Sequence, residues 1–471
     1  MLKKLLNKFI SEDQLPFLVL FLFELCFHIF LLILTGEPKG DDSLTPNLIA
    51  QKGLWNYVKE FYLTWGSGAL GVCIQAIVCI LPDIVWAIVD SAMIVLFVYS
   101  VSILLVKEKS AALNWAISGL FLLFPFIVLY TAGWKITTLA YLWPAALGTF
   151  SFTLLTRKND RWYHYVLCGL SMLLSAGSLQ LSVVLFVLLL NFLFKAVYKK
   201  EKKLFMRTSF LLIIELANLI NNIVSPGNRS RMFSETATWN PDFYMRTLIE
   251  KMQIGFMETM SNIFLSSNLL TTIIMFLILI VIWKKYKDWI HRLLALIPFF
   301  INLGIGTFPS ISFAVFPELN CLHPKMSIYK LTIAGDNYYT MNLGNVYEGL
   351  VDINNFMSWK SYIPLVVMII CFIVTTFSVF LCFEDLFQSI VSASVFMCGI
   401  GSGMIMGFSP TVYASTTRTL SFTFFCFIII GAMIVEKNRE YLRFPEKYKS
   451  MGIYFFLALA FFNVFETFML L

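Results

Sequence analysis

Long apolar stretches separated by short polar segments run through the whole chain. A hydrocarbon core of about 30 Å needs roughly 17 to 25 residues of α-helix to cross it. Thirteen stretches come near that length: Leu15 to Thr35, Pro82 to Val106, Ala111 to Tyr130, Thr138 to Leu155, Tyr163 to Ala176, Gln180 to Tyr198, Leu204 to Val224, Ile263 to Trp283, Leu293 to Phe308, Tyr362 to Phe383, Leu386 to Phe408, Thr419 to Val435 and Ser450 to Leu470. The pattern predicts an all-α, polytopic transmembrane bundle of about 13 spans, forming one domain over residues 1–471.

One further apolar stretch, Gly66 to Leu81, is broken by small residues in its first half and stops at Pro82. We interpret it as an interfacial or re-entrant helix rather than a span. With that choice, most of the 35 Lys and Arg residues fall in short loops on one side. The positive-inside rule identifies this side as cytoplasmic and places the N-terminus there.

Composition supports the same class of protein. Hydrophobic residues make up 59% of the chain and charged residues only 13%, which excludes a soluble protein of this length. The net charge of +7 arises from short basic loops of the kind that set topology and attract anionic headgroups, so it does not indicate a nucleic-acid partner. The first apolar run lacks a small-residue cleavage site, and we expect it to remain as an anchor in the cell membrane.

Three outer loops are long enough to carry function: Gly36 to Leu81, Ser225 to Asn262 and Pro309 to Ser361. The first holds the acid pair Asp41-Asp42 and aromatic residues spaced as in helices that lie in the membrane interface. The second begins with Ser-Pro-Gly-Asn-Arg-Ser-Arg, and a later Ser-Pro segment leads to Arg418. All these polar residues are predicted to lie on the extracytoplasmic side.

Acids and arginines on one face of a membrane bundle suit one kind of chemistry. A carboxylate pair can act as general base toward a sugar hydroxyl when one member stays ionised. An arginine can hold a phosphate through paired, charge-assisted hydrogen bonds and stabilise it as a leaving group. The combination describes glycosyl transfer from a lipid phosphate. The same residues also fit a solvated loop with arginines that reach lipid headgroups.

Metal and disulfide chemistry have no clear support in the sequence. The four histidines are scattered too widely for zinc-ligand spacing, and most of the nine cysteines lie in apolar runs. We therefore predict no cofactor and no metal cage, although an aspartate pair can still recruit a divalent ion.

The order of short motifs resembles the GT-C superfamily of integral membrane glycosyltransferases, and more narrowly the bacterial O-antigen glucosyltransferase-like group that modifies surface polysaccharides. The matching segments are Asp41-Asp42-Ser43, Tyr62-Leu63-Thr64-Trp65-Gly66-Ser67, Tyr141-Leu142-Trp143-Pro144, Pro226 to Arg231 and Ser409 to Arg418. The resemblance covers most of the chain. Ser43 replaces the aromatic residue and Ser67 the arginine usual in that group, and a family glutamate would fall near Gln180.

The resemblance implies a catalytic acid in the first outer loop and a sugar donor on polyprenyl phosphate, in bacteria undecaprenyl phosphate. Carried onto this chain, Asp41 is the expected general base and Asp42 would orient the acceptor or share the proton. Arg229, with Arg231 as the second choice, would bind the donor phosphate. Arg418 would close the site from the other end of the chain, and the transfer would invert the anomeric centre.

Weaker assignments complete this set. Trp65, Trp143 and Asn228 are placed at the sugar or acceptor, with membrane-interface anchoring as the alternative for the two tryptophans. The partners implied are the lipid-linked donor, a surface glycan acceptor, membrane lipids, and separate enzymes that make and flip the donor.

Two other functions stay open at this stage. A flippase or transporter of lipid-linked sugars would place ionisable residues at mid-membrane depth, as a pathway through the bundle. A polysaccharide polymerase or ligase that uses pyrophosphate-linked donors would also keep arginines in its outer loops. The early Asp-Asp favours the transferase with a monophosphate donor.

Overall fold

The computed structural model describes residues 11–36, 40–105, 110–157, 161–175, 177–322, 326–327, 346–347, 362–443 and 446–469. The described chain is helical apart from turns and one antiparallel pair of two-residue strands, β1 (Met326–Ser327) and β2 (Val346–Tyr347). The predicted all-α class is confirmed. Most of the predicted third outer loop lies outside the described residues.

The α-helices follow one another along the whole described chain. They are α1 (Leu15–Thr35), α2 (Asp41–Lys52), α3 (Leu54–Thr64), α4 (Ala69–Ile80), α5 (Asp83–Leu105), α6 (Ala111–Leu122), α7 (Trp134–Thr137), α8 (Trp143–Thr156), α9 (Trp162–Leu174), α10 (Leu179–Tyr198), α11 (Lys202–Val224), α12 (Pro226–Trp239), α13 (Leu248–Phe264), α14 (Leu269–Lys285), α15 (Trp289–Ile301), α16 (Pro309–Val315), α17 (Tyr362–Leu381), α18 (Leu386–Met404), α19 (Ser421–Lys437), α20 (Arg439–Leu442) and α21 (Glu446–Met469).

Shorter helical turns link or extend these helices. Two are π-helical, Thr138–Leu142 between α7 and α8 and Asn302–Thr307 after α15. The 3₁₀ turns are Phe126–Leu129, Pro241–Met245, Pro317–Leu322, Ile405–Phe408 and Thr416–Leu420. Because α7, its π turn and α8 are continuous, they form one helical segment, Trp134–Thr156.

Among the described residues, nine helices are long and apolar enough to cross a membrane. A tenth crossing is formed if α13 and α14, which meet at an angle of 80°, count as one broken span. The chain therefore has the helices of a multi-pass membrane protein, but the predicted number of thirteen is not confirmed. The difference arises because α6, α9 and the apolar part of α21 are only 12 to 16 residues long, and because α13 and α14 are bent.

The bundle is held together by a core rich in aromatic side chains. The largest side chains that are almost fully buried include Trp86, Phe97, Phe121, Phe124 and Phe427. Ring pairs such as Phe97 of α5 and Phe425 of α19, with centroids 5.1 Å apart, join helices that are far apart in the sequence. Since lipid removes the hydrophobic drive between helices, close packing of this kind supplies most of the association energy.

Two glycines allow α13 to cross the end of α18 at very short range. A Cβ added at Gly255 would lie 2.1 Å from the carbonyl oxygen of Met404, and one at Gly407 would lie 2.0 Å from that of Lys251. Any side chain at either position would force the two backbones apart. This contact anchors the bent α13–α14 pair against the helix that leads to Arg418.

The first predicted outer loop contains α2, α3 and α4. Gly53, with φ of 79°, separates α2 from α3, and its N–H donates to the carbonyl of Ile49. Helix α4 has 12 residues, which is too short for a span. The prediction that Gly66 to Leu81 does not cross the membrane agrees with this length.

Candidate functional site

Backbone geometry around two glycines docks the acid pair on a turn from another part of the chain. Gly40 has φ of 61°, and the next N–H, that of Asp41, donates to the carbonyl of Ala132 at 3.0 Å. Gly133 has φ of 113°, and a Cβ there would lie 2.5 Å from Cγ of Asp42. Only glycine combines this conformation with this space.

Asp42 is buried, and its carboxylate binds backbone N–H groups. Its carboxylate accepts hydrogen bonds from the N–H groups of Ile136 at 2.8 Å and Lys135 at 3.1 Å, so it caps the segment Trp134–Thr156. Burial raises the pKa of Asp42 to about 6, although the two N–H bonds act in the opposite direction. Both of its oxygens are engaged, which leaves it poorly placed to orient an acceptor.

Asp41 is exposed, in contrast to its neighbour. Within the described residues, no hydrogen bond or ion pair engages its carboxylate. Desolvation by the surrounding protein raises the pKa of Asp41, while the positive charges of Arg418 and Arg231 lower it in part. The structure thus brings together three predicted site residues from three distant segments.

The two arginines of the second loop differ in position. The guanidinium of Arg231 lies over the ring of Trp65 at 5.0 Å, and its Nε is 3.5 Å from Glu235. Arg229 is exposed and forms no hydrogen bond or ion pair with any other described residue. The geometry therefore favours Arg231 over Arg229 as the arginine of the site, which reverses the order expected from the sequence.

The start of α12 packs directly on the end of α3. A Cβ at Gly227 would lie 2.6 Å from both the carbonyl oxygen of Tyr62 and the N–H of Gly66. The hydroxyl of Ser225 donates to the carbonyl of Gly66 at 3.3 Å. Asn228 donates to the carbonyl of Asn222 at 2.7 Å, so its amide closes the end of α11 rather than projecting freely.

Sequence reasoning did not identify the paired asparagines at the end of α11. The amide of Asn221 donates to the carbonyl of Ser67 at 2.9 Å and accepts from the hydroxyl of Tyr62 at 3.3 Å. Asn222 accepts from the hydroxyl of Ser67. Two adjacent asparagines at the end of an apolar run were the available signal, since unpaired amides are costly near hydrocarbon.

Gln180 supports the segment that carries Arg418. Its amide donates to the carbonyl of Ser402 at 2.7 Å and to that of Thr419 at 3.4 Å. Gln180 is buried, and it thereby joins α10 to α18 and to the turn containing Arg418. Gln180, near which a family glutamate was expected, thus binds two backbone carbonyl groups in this chain.

Trp143 lies inside the bundle. It is 7% exposed, and its indole N–H donates to Oδ1 of Asp90 at 2.6 Å. This arrangement speaks against a sugar-stacking role and against anchoring at the membrane interface. Trp65, by contrast, is exposed, and its ring lies against the guanidinium of Arg231.

Another ion pair lies beside the acid pair. The amino group of Lys135 is buried and contacts the carboxylate of Asp83 at the start of α5. A small cavity of about 30 Å³ is lined by these two residues together with Asp42, Trp86 and Gly133, among others. A larger cavity of about 230 Å³ lies between α4, α9 and α11, with Tyr62 and Asn221 in its wall.

No cluster of three or more His, Cys, Asp or Glu side chains able to hold a metal ion occurs in the described part of the chain. The positive charge beside Asp42 and Asp83 comes from the amino group of Lys135.

Comparison of the sequence with protein-family models and with curated proteins, and of the fold with solved structures, finds no match.

Proposed function

We propose that this chain is a membrane glycosyltransferase that moves a sugar from a polyprenyl-phosphate donor to a surface polysaccharide on the extracytoplasmic side. The observation that carries the proposal is the position of Asp41: an exposed carboxylate without a structural partner in the described residues, facing Arg418 and Arg231. A base and two phosphate-binding groups are what this reaction needs. The motif resemblance to the GT-C superfamily adds support.

The reaction would proceed by attack of an acceptor hydroxyl oxygen on the anomeric carbon. The hydroxyl proton passes to Asp41, and the bond between the anomeric carbon and the phosphate oxygen breaks. The departing lipid phosphate gains negative charge, which Arg231 and Arg418 stabilise. A pKa of Asp41 raised by desolvation makes it a stronger base than an ordinary aspartate once ionised.

The test compares sugar transfer by wild-type protein and by Asp41→Asn, both purified and placed in lipid vesicles. The donors are a panel of polyprenyl-phosphate sugars, and the acceptor is cell-surface glycan. Loss of a general base should lower transfer about 10²- to 10⁴-fold. Asp242→Asn, which changes an exposed acid of the second loop, is the matched control and should retain activity. Full activity of Asp41→Asn would refute the base assignment.

A transporter of lipid-linked sugars is the second candidate, and one observation favours it. Glu24, His28 and Asp90 lie together inside the bundle, where a transporter places ionisable groups. The same vesicles distinguish the two functions. Movement of the donor across the bilayer without sugar transfer would support the transporter, and transfer that depends on Asp41 would support the enzyme.

A further inference from the structure

A polar cluster lies in the middle of three helices that support the outer site. His28 of α1 contacts Oδ2 of Asp90 through Nε2 at 2.9 Å and the carbonyl oxygen of Glu24 through Nδ1 at 2.6 Å. The indole of Trp143 binds the other oxygen of Asp90. Glu24 and Asp90 are fully buried, and His28 is 3% exposed. The cluster joins α1, α5 and α8.

The hydrogen-bond network assigns the protons of His28 and Asp90. A carbonyl oxygen only accepts, so Nδ1 of His28 carries a proton directed at Glu24. Asp90 already accepts the indole N–H of Trp143 on one oxygen, and an ionised carboxylate is the better acceptor for the second bond. Protons on both ring nitrogens satisfy all of these contacts, and His28 is then an imidazolium paired with an aspartate anion.

The side chain of Glu24 is in a different situation. Neither of its carboxyl oxygens has a hydrogen-bond partner among the described residues. An ionised carboxylate without hydrogen bonds is very costly inside a membrane bundle, and the nearby charge of Asp90 opposes a second anion. A neutral carboxyl group avoids both costs.

We propose that Glu24, His28 and Asp90 form a proton-binding site inside the bundle, in which His28 and Asp90 carry opposite charges and Glu24 holds an exchangeable proton. The bound ligand is the proton itself. This inference does not depend on the proposed glycosyl transfer, because it rests on the contacts within α1, α5 and α8.

The neighbouring elements bring few other charges to this cluster. Helices α4, α6 and α8 contain no charged residue, and the charges of α19 stand in its last turn. In α21, Glu466 is exposed. The nearest other charges on α5 and its contacts are Asp83 and its partner Lys135, at the start of the helix.

One face of α5 extends from the cluster to the outer end of the bundle. Asp83, Trp86 and Asp90 follow one another at helical spacing, and the ring of Trp86 contacts that of His28 with 5.0 Å between centroids. Trp86 also lines the small cavity beside Asp83 and Lys135. The ring of Trp86 therefore lies between the buried cluster and the end of the bundle where the acid pair lies.

Infrared spectroscopy of the purified protein in lipid tests the proposal without any assay of function. At neutral pH the wild type should show the C=O stretch of a protonated carboxyl group, shifted in heavy water. Glu24→Gln should lower the intensity of that band, and the carboxyl group of Glu215, which is also fully buried, accounts for any band that remains. Glu60→Gln, which changes an exposed acid paired with Lys52, should leave the intensity unchanged. Identical bands in wild type and Glu24→Gln would overturn the proposal.

A wild-type measurement keeps the test decisive even if the variant does not fold. Absence of every protonated-carboxyl band at neutral pH would by itself refute the proposal. Thermal unfolding adds a second criterion. The folded protein keeps the proton of Glu24, whereas the unfolded chain releases it once the pH exceeds the ordinary pKa of a carboxyl group. The free energy of unfolding should therefore fall as the pH rises. Glu24→Gln should reduce this fall, and an unchanged fall would contradict the assignment.

Discussion

The acid pair of the first loop, Asp41 and Asp42, and the acid pair inside the bundle, Glu24 and Asp90, both consist of carboxyl side chains but have different surroundings. Asp41 is exposed and faces two arginines, whereas Asp42 is held by backbone N–H groups. In the bundle, Asp90 is held by His28 and Trp143, whereas Glu24 has no partner in the described residues. Each region thus has one structural carboxyl group and one that is free to react or to exchange a proton.

The difference lies in access to water. A free carboxylate at the surface can be ionised and can accept a proton from a substrate, while one in the bundle is neutral and can only give up the proton that it holds. Assigning chemistry to an acid in a membrane protein therefore depends on its partners and depth more than on its neighbours in the sequence.

The largest expected effect comes from removing the partner of Asp90. His28→Ala leaves a buried anion with only the indole N–H of Trp143, and loss of one member of a buried ion pair typically costs about 3–5 kcal/mol. Chemical denaturation in detergent would measure the free energy of unfolding. His291→Ala, which changes a partly exposed histidine paired with Asp288, is the control. A change below about 1 kcal/mol in His28→Ala would show that no such ion pair exists.

A smaller effect should separate the two arginines of the outer region. Replacing Arg231 by lysine removes a planar group that lies over Trp65, and a charge-assisted hydrogen bond contributes about 1.5–3 kcal/mol. Donor affinity should fall about ten- to a hundredfold, as measured from the dependence of sugar transfer on donor concentration. Arg229→Lys should have little effect. Equal losses in the two variants would remove the distinction drawn from the structure.

The pH dependence of stability sharpens the difference between Asp41 and Asp42. The pKa of Asp42 is about 6 in the folded protein, above the value of 3.8 for an unperturbed aspartate. The folded state therefore holds a proton that the unfolded chain has released, and stability should decrease as pH rises from about 4 to about 6.

Thermal unfolding across that range measures the effect. Asp42→Asn should flatten the curve and, with only one amide oxygen to accept from two N–H groups, should lower stability by about 1 kcal/mol. Asp242→Asn again serves as the control. If the stability of Asp42→Asn fell with pH as steeply as that of the wild type, the pKa of Asp42 would not be raised in the folded protein.

Removal of divalent ions should have the smallest effect. Lys135 provides the positive charge next to Asp42 and Asp83, and the described residues contain no cluster suited to a metal. Sugar transfer should be unchanged after treatment with a chelator. Loss of transfer that is restored by one divalent ion would point to a metal between Asp41 and the donor phosphate.

The sequence predicted the helical class, most of the long spans and the polar residues that meet at the site. Apolar runs of full length carry a strong signal, but α6 ends after 12 residues at a turn inside the predicted stretch Ala111 to Tyr130, which hydropathy does not reveal. The stretch Tyr163 to Ala176 was already short, and α9 has 13 residues. The pair α13 and α14 meets at 80°, and α13 packs through Gly255 against Gly407, a contact between residues 152 positions apart in the chain that hydropathy cannot predict.

At the site, the resemblance of the motifs, with their predicted place on one side of the membrane, grouped Asp41, Asp42, Arg229, Arg231 and Arg418. It could not rank the two aspartates, because the difference depends on the N–H groups of Lys135 and Ile136. It also ranked Arg229 before Arg231, because which arginine turns toward Trp65 depends on the docking of α12 on α3. The burial of Trp143 could not be predicted either, because it depends on a contact with Asp90 on another helix.

The contact between Gly66 and Gly227 has a consequence for the time course of biosynthesis. The two residues are separated by 161 positions, which a ribosome adding about 5–20 residues per second needs roughly 10 to 30 s to synthesise. During this interval the first loop is already made but has nothing to dock against, and Arg418 arrives later still. Insertion of the early spans must therefore precede assembly of the site by a wide margin. A nascent chain stalled midway would be anchored in the membrane without an assembled site.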